Sequence, residues 1–331
     1  MRRDTLLALG LVIFLLAALA AKSMLVSMPP VRSAPGEFDA ARAKARLAFV
    51  LGDQRPHPVD SAADDLVRAR LVASLRGIGL EPIVRDQMVC NDFQRARLVA
   101  CARVRNVIAV VGPPRGKALL LSAHYDSVPV GPGASDDGIG VATLLEVGSI
   151  LDERQLKRPV ILLFNEGEEL GLLGARAFLA DPLSRNVDSL LNFEARGVNG
   201  PVTMFETSQP NGAAIAAYAD SVRRPFASSL ATDVARLLPN DTDVTTFKER
   251  GWLTLNSAIV GNRPAIIAQA TTSKASTRGA FRTWAMKRSP FPRSFRTALR
   301  RRRAPRFSLT WDSGFSSTCR WRSASSGCSC C

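Results

Sequence analysis

The stretch from Ala118 to Gly140 constrains the fold more than any other part of this chain, because an apolar run leads directly into clustered polar residues. Leu119 to Leu121 precede His124 and Asp126, and a glycine-rich turn then brings an Asp-Asp pair. This pattern predicts a buried strand that delivers polar side chains at its carboxyl end, where open α/β sheets place their chemistry. His124 is one of only 2 histidines in the chain.

Two later segments repeat this design. Pro159 to Glu169 is a second apolar strand that ends in three glutamates, and Leu190 to Gly197 is a third that ends in Glu194. Parallel strands place their carboxyl ends at one edge of a sheet, so these acids are expected beside His124. One imidazole and several carboxylates suit a dinuclear zinc site, because Zn2+ accepts both nitrogen and carboxylate oxygen ligands.

Taken in order, these motifs resemble a known enzyme family. The segments HYDSV, PGASDDG, NEGEELGLLG and NFEARG are similar to the successive motifs of the co-catalytic zinc aminopeptidases, metallopeptidase family 28, which also contains the glutaminyl cyclases. The similarity covers roughly residues 56–262. Its later part resembles the membrane-anchored branch, which includes the endoplasmic reticulum metallopeptidase and the vacuolar membrane protease.

The resemblance implies a role for each polar side chain at the strand ends. His124 and Glu194 would bind one zinc, and Glu169 would bind the other. Asp136 would bridge the two ions, so that one water is acidified between them. Glu168 would be the general base that takes the proton of this water and passes it to the leaving amine.

Asp126 is expected to accept from the second ring nitrogen of His124 and so to fix its tautomer. His57 lies between two prolines and is not expected to be a ligand. Each motif alone also fits a plainer role, such as a hydrogen-bonded pair, an acid that favours a helix dipole, or a solvated turn. The order of the motifs on consecutive strand ends favours the metal site.

The whole pattern predicts an α/β fold, a three-layer αβα sandwich with a mixed, mostly parallel central sheet. Four parts are expected along the chain: a signal anchor or signal peptide, a linker with the N-terminal segment, a zinc peptidase domain that is incomplete at its C-terminal side, and a disordered basic tail. Their boundaries are 1–26, 27–55, 56–264 and 265–331.

The tail differs in character from the rest of the chain. No histidine follows His124, although the family's second zinc takes one from a loop just after a strand like 252–261. Residues 265–331 hold 12 arginines and 2 lysines against a single acid. Ala265 to Lys287 can be back-translated so that a shifted frame gives a histidine loop and helix of the family's kind, and we interpret the tail as out of frame. The alternative is a nucleic-acid-binding tail, indicated by Arg300 to Arg303, but no recognised nucleic-acid motif accompanies it.

The N-terminal segment predicts that the domain after it is exported from the cytoplasm. Leu6 to Ala21 is an uninterrupted apolar run that follows Arg2 and Arg3. It fits either a membrane-spanning signal anchor or a cleaved signal peptide, and a buried core helix is the plainer alternative. The basic flank places the catalytic domain on the periplasmic or lumenal side.

Two cysteines are consistent with an oxidising compartment. Cys90 and Cys101 flank a polar stretch that predicts the turn of a hairpin before a strand at 107–111. In such a compartment they would pair, and the alternative is two unpaired, half-buried thiols.

These features predict a zinc-dependent exopeptidase, an aminopeptidase that removes residues from peptide or protein N-termini. Two zinc ions are expected for the family, but at most one bound tightly here, because the second lacks its histidine. One alternative is glutaminyl cyclase-like acyl transfer on the same fold. Another is an inactive truncated product or a binding module with relic ligands. A membrane is the other expected partner, and nucleic acid is not.

The predicted orientation can be tested with reporter fusions. A reporter that is active only after export, fused after Gly140, should be active, because the positive flank keeps the N-terminus inside. A matched fusion carrying a reporter that works only in the cytoplasm should be silent. The reverse result at this position would contradict the predicted topology.

Overall fold

The computed structural model describes residues 3–24, 34, 36–93, 98–222, 225–230, 232–233 and 241–261. The expected tail at 265–331 lies outside the described residues, as do Arg2 and the site of the missing histidine. The helices are α1 (Arg3–Met24), α2 (Ala40–Leu51), α3 (Ala62–Gly77), α4 (Gly138–Asp152), α5 (Leu173–Ala180), α6 (Gly212–Ser221) and α7 (Asp243–Phe247). The strands are β1 (Ile83–Phe93), β2 (Leu98–Val111), β3 (Ala118–His124), β4 (Val160–Asn165), β5 (Val187–Ala195), β6 (Asn199–Thr207) and β7 (Leu253–Gly261).

The seven described strands form one sheet in the order β1-β2-β4-β3-β5-β7-β6. β3 pairs in parallel with β4 and β5, and β5 pairs in parallel with β7. The pairs β1-β2, β2-β4 and β6-β7 are antiparallel. The expected mixed sheet is therefore present, with three parallel and three antiparallel pairings. β4, β3, β5 and β7 form the parallel centre of the sheet, and β1 runs in the same direction. β2 and β6 flank the centre and run in the opposite direction.

Successive side chains of the central strands point to opposite faces of the sheet, and helices cover both faces, which gives the three expected layers. Leu119 and Leu121 of β3 pack into one buried cluster with Phe164 of β4 and residues of α2, α3, α4 and α6. Leu120 points to the other face and packs with Ile161 and with residues of α5 and α7. Continuous apolar runs are needed here because helices cover both faces of the parallel strands.

Helix α2 lies within the segment 27–55 that the sequence indicated as a linker and N-terminal segment. Its Leu47 is fully buried in the main core cluster. Glu146 of α4 is also buried, and it accepts from Arg42 Nη2 at 2.6 Å and from Arg46 Nε at 3.2 Å. These contacts join α2 to the α/β unit, and the expected domain boundary at residue 56 stays a prediction.

Helix α5 begins only at Leu173, after a turn that follows β4. Gly171 has φ 125° and Leu172 has φ 58°, values outside the right-handed helical region. The segment 166–172 is therefore a turn and not the first part of the helix. It is closed by the amide of Leu173, which donates to the carbonyl oxygen of Gly167 at 2.9 Å.

The predicted hairpin is β1-β2, in which Cys90 and Cys101 are register partners and form a disulfide. The N-terminal apolar run forms α1, whose described large apolar side chains are exposed, for example Leu7 at 65% and Phe14 at 67%. Among the described residues, no helix combines the length and apolarity needed to cross a membrane. The expected membrane segment therefore stays a prediction.

Candidate metal centre

The register of the central strands brings the predicted site residues to one edge of the sheet. His124, the last residue of β3, is paired with Asn165, the last residue of β4. Glu194 lies near the end of β5, where it is paired with Ala258 of β7. All three strands run in parallel, so their carboxyl ends meet there, as the sequence predicted.

Three side chains at this edge could hold one metal ion. One ligand atom each from His124, Asp136 and Glu169 lies within 4.8 Å of the others. The imidazole Nε2 of His124 is 3.3 Å from Asp136 Oδ1, and the histidine is only 1% exposed. An imidazole nitrogen with two carboxylates is a donor set that zinc accepts, so these residues fit the expected ion.

Asp126 connects the two segments that carry these ligands. Its Oδ1 lies 3.4 Å from His124 Nδ1, on the side of the ring that faces away from Asp136. The same carboxylate accepts from the amides of Glu168 at 3.1 Å and Glu169 at 3.2 Å. Asp126 therefore contacts both the histidine ring, whose Nδ1 also lies 3.2 Å from the Asp126 backbone oxygen, and the turn of the two glutamates.

Glu168 lies on the metal-facing side of His124. Its Oε2 is 4.0 Å from the imidazole Nε2, and the residue is 8% exposed. Burial, and then the neighbouring charges of Glu194 and Asp243, raise its pKa well above the usual range, against the opposing effect of His124. A single water can bridge atoms at this distance, which is the reach that general-base catalysis requires.

Glu194 is the predicted ligand that the structure does not place in the three-residue group. It is 2% exposed, and its Oε1 accepts a long hydrogen bond of 3.4 Å from Asn192 Nδ2. Burial raises the pKa of Glu194 to about 7, opposed by the charges of Arg196 and His124. Glu194 thus shares the electrostatic environment of the site, and its role as a ligand stays a prediction.

The carboxyl groups at this edge are costly to ionise together. Burial, followed by the charge of Asp136, raises the pKa of Glu169 to about 8. Burial also lowers the pKa of His124, but hydrogen bonds to Asp126 and Asp136 outweigh it, so that the net shift is upward. A bound divalent cation reverses this balance, because it favours ionised carboxylates. The excess of buried carboxyl groups therefore fits a metal site, in agreement with the donor set.

Two charged residues near the site were not assigned from the sequence. Asp243, at the start of α7, is 1% exposed and accepts from Asn165 Nδ2 at 2.6 Å. Burial raises its pKa to about 6, with His124 opposing. Arg196 donates to the backbone oxygen of Asp241, and the charges of Glu194 and Asp136 raise its pKa against the effect of burial. The acid in PNDTD and the arginine in FEARG were the available signals; Arg196 directly follows β5, whereas Asp243 lies at the start of α7 and not at a strand end.

The remaining polar residues of these motifs have structural roles. Asp137 caps α4 by accepting from the amide of Gly140 at 3.1 Å. The ring Nδ1 of His57 is 2.9 Å from the backbone oxygen of Arg55, and burial lowers its pKa. His57 is not part of the three-residue group.

Comparison with known proteins identifies the family. Residues 106–285 match the family model of Peptidase family M28. The chain belongs to Peptidase family M28, which confirms the resemblance seen in the sequence and its assignment to the metallopeptidases.

The relatives and the solved structures agree with this membership. A vacuolar membrane protease of Eremothecium gossypii is 31% identical over 244 residues, and one of Candida tropicalis is 42% identical over 216 residues. These matches cover 66% and 61% of this chain but only 24% and 23% of the relatives, so the chain spans about a quarter of their length.

Two solved structures share the fold. A Zn-dependent exopeptidase from Parabacteroides distasonis has a TM-score of 0.58 at 18% identity, over 77% of this chain and 96% of its own. A glutaminyl cyclase from Porphyromonas gingivalis has a TM-score of 0.58 at 19% identity, over 76% and 95%. These likenesses confirm the α/β fold.

The role of Asp126 can be tested by metal affinity. Asp126→Ala should weaken zinc binding by about 10- to 100-fold, the usual effect of losing a partner that orients metal ligands. Asp181→Ala is the control, because Asp181 is a buried carboxylate that pairs with Arg85 away from the site. It should lower stability and leave zinc binding unchanged. Equal zinc affinity in both variants would contradict the role given to Asp126.

Proposed function

We propose that this chain is the peptidase unit of a zinc-dependent aminopeptidase. The observation that supports this most directly is the convergence of His124, Asp136 and Glu169 with Glu168 4.0 Å from the imidazole. A general base beside a metal-ligand group is the arrangement needed for hydrolysis of a peptide bond.

The proposed roles follow the positions of the side chains. Bound zinc supplies a Lewis acid and an acidified water at the ligand group. Glu168 accepts the proton of the attacking water on its carboxylate and returns it to the leaving amine, so that protons balance over the reaction. Asp126 keeps His124 and the Glu168–Glu169 turn in register. Glu194 completes the ligand set in this proposal.

We also propose N-terminal residues of peptides or proteins as the substrate, and a membrane-associated, lumenal or periplasmic location. The apolar N-terminal run, its basic flank and the names of the curated relatives support the location. The disulfide between Cys90 and Cys101 agrees with an oxidising compartment.

Glutaminyl cyclase-like chemistry is the second candidate. It is favoured by the fold shared with several glutaminyl cyclases and by a ligand group that contains a single histidine. Peptides with N-terminal glutamine distinguish the two activities. An aminopeptidase releases free glutamine, whereas a cyclase releases ammonia and leaves the peptide bond intact.

The assignment of Glu168 can be tested in a version of the chain whose reading frame is corrected after residue 264. Glu168→Gln should keep its zinc and lower kcat by at least about 100-fold, because the proton acceptor is lost. Glu169→Ala should instead lose metal. Glu153→Gln, at an exposed position after α4, is the control and should keep full activity. Unchanged turnover in Glu168→Gln would overturn the assignment.

The number of zinc ions tests the interpretation of the tail. The chain as written should bind at most one zinc tightly and show little peptidase activity, because a catalytic zinc generally has three protein ligands. The frame-corrected version should bind two. Zinc per chain and hydrolysis of aminoacyl substrates are measured side by side. Two ions and equal activity in both would show that the tail supplies a substitute ligand.

A further inference from the structure

A second group of buried acids lies on the far side of the turn that carries Glu168 and Glu169. Asp64, in the first turn of α3, and Glu166, directly after β4, both have side chains with no exposed surface. The two carboxyl groups are in hydrogen-bond contact. Neither residue belongs to the metal-ligand group or to the proposed reaction.

The oxygens of Glu166 are supplied with donors. Its Oε1 accepts from the amide of Asp60 at 3.1 Å. Its Oε2 accepts from the amide of Arg105 and lies 3.0 Å from the hydroxyl of Tyr125, whose single proton also has the backbone oxygen of Arg105 at 2.8 Å. A carboxylate that accepts several hydrogen bonds is favoured in its ionised form. Glu166 is therefore the member of the pair whose oxygens are supplied with hydrogen-bond donors.

Asp64 has the opposite surroundings. Neither of its carboxyl oxygens receives a hydrogen bond from a donor group of the described residues. The nearest cation is Arg68, whose Nη1 is 3.5 Å from Asp64 Oδ2 and whose Nη2 is bonded to the more exposed Asp65. A buried carboxylate without donors is strongly unfavourable, whereas a protonated carboxyl has an O–H to donate. Among the described residues, Glu166 is an acceptor in hydrogen-bond contact with it.

The charged groups around the pair do not provide Asp64 with a hydrogen-bond donor. Arg105 of β2 directs its Nη2 to Asp60 at 2.8 Å, and its Nη1 is 3.7 Å from Glu166. That Nη1 atom is buried and makes no hydrogen bond within the described chain. The facing groups from all packed elements are Arg68 and Asp65 on α3, Asp60 before α3, Arg105 on β2, Tyr125 and Asp126 after β3, and Glu166 after β4.

We propose that Asp64 carries a proton that it donates to Glu166, and that this carboxyl–carboxylate bond positions the turn bearing Glu168 and Glu169. The bond would hold α3 to the first residue of the turn, as Asp126 holds the amides of its third and fourth residues. Asp64 acts here as a positioning residue. The second half of the proposal rests on the proposed function, whereas the protonation does not.

The proton has a measurable consequence for stability. Burial, followed by the charge of Glu166, raises the pKa of Asp64 to about 11. In the unfolded chain the pKa of an aspartate is about 3.9. Between these values the folded chain binds one more proton than the unfolded chain. Stability therefore falls as pH rises, by about tenfold in the folding equilibrium constant per pH unit, and this penalty is absent below the unfolded pKa.

Asp64→Asn removes the titration and keeps a donor to Glu166. The full chain and this variant are unfolded with urea, without metal, from pH 5 to pH 9. The ratio of the variant's folding equilibrium constant to that of the parent should rise about tenfold for each pH unit. A difference that stays constant with pH would overturn the protonation of Asp64, whatever the state of the metal site.

Zinc affinity tests the positioning role. Asp64→Asn should bind zinc like the parent, and Asp64→Ala should bind about 10- to 100-fold more weakly, because Glu166 then lacks its donor. Leu71→Ala is the control, since Leu71 is fully buried on the same helix and its loss lowers stability without touching the pair. Equal weakening in Leu71→Ala, or none in Asp64→Ala, would overturn the positioning role. A parent chain that binds no zinc would remove the proposed function together with this role, and the pH series would still decide the proton.

Discussion

The burial of several carboxyl groups around one imidazole is the constraint on which the rest of the structure depends. Burial raises the pKa of Glu169 to about 8, that of Glu194 to about 7 and that of Asp243 to about 6. His124 and Arg196 are the cations that oppose these shifts. Such a cluster destabilises the folded chain unless a cation occupies it, so its retention at the end of a well-packed sheet is a strong argument for metal binding.

The sheet and one turn hold these acids in place without the metal. Parallel pairing brings the strand ends together, and Asp126 fixes the amides of the glutamate turn. Asn106 of β2 accepts from the amide of Glu166 at 3.1 Å and donates to the oxygen of Gly174 at 2.8 Å. A Cβ at Gly174 would lie 2.4 Å from the backbone oxygen of Glu166, so only glycine lets α5 pack this closely against the turn.

The sequence predicted the site better than it predicted the outer parts of the fold. Apolar runs ending in acids are a local signal, and the pairing of His124 with Asn165 confirms that the strand ends meet. The antiparallel flanks and the core position of α2 depend on contacts between distant segments, such as Arg42 with Glu146, which no local pattern contains. Asp243 escaped for the same reason, because its link to the site is a hydrogen bond from Asn165, 78 positions away.

Buried acids lie on both sides of the turn between β4 and α5, and their charge is balanced in a different way on each side. On one side, Glu168 and Glu169 face His124, where a cation can balance their charge. On the other side, Glu166 faces Asp64 within hydrogen-bond contact, where the proposed proton removes one of the two charges. A proton is retained whether or not metal is present, so the far side of the turn is fixed before any ion binds. Rigid support of this kind reduces the ordering that the ligand turn requires on binding, which is what a preorganised metal site needs.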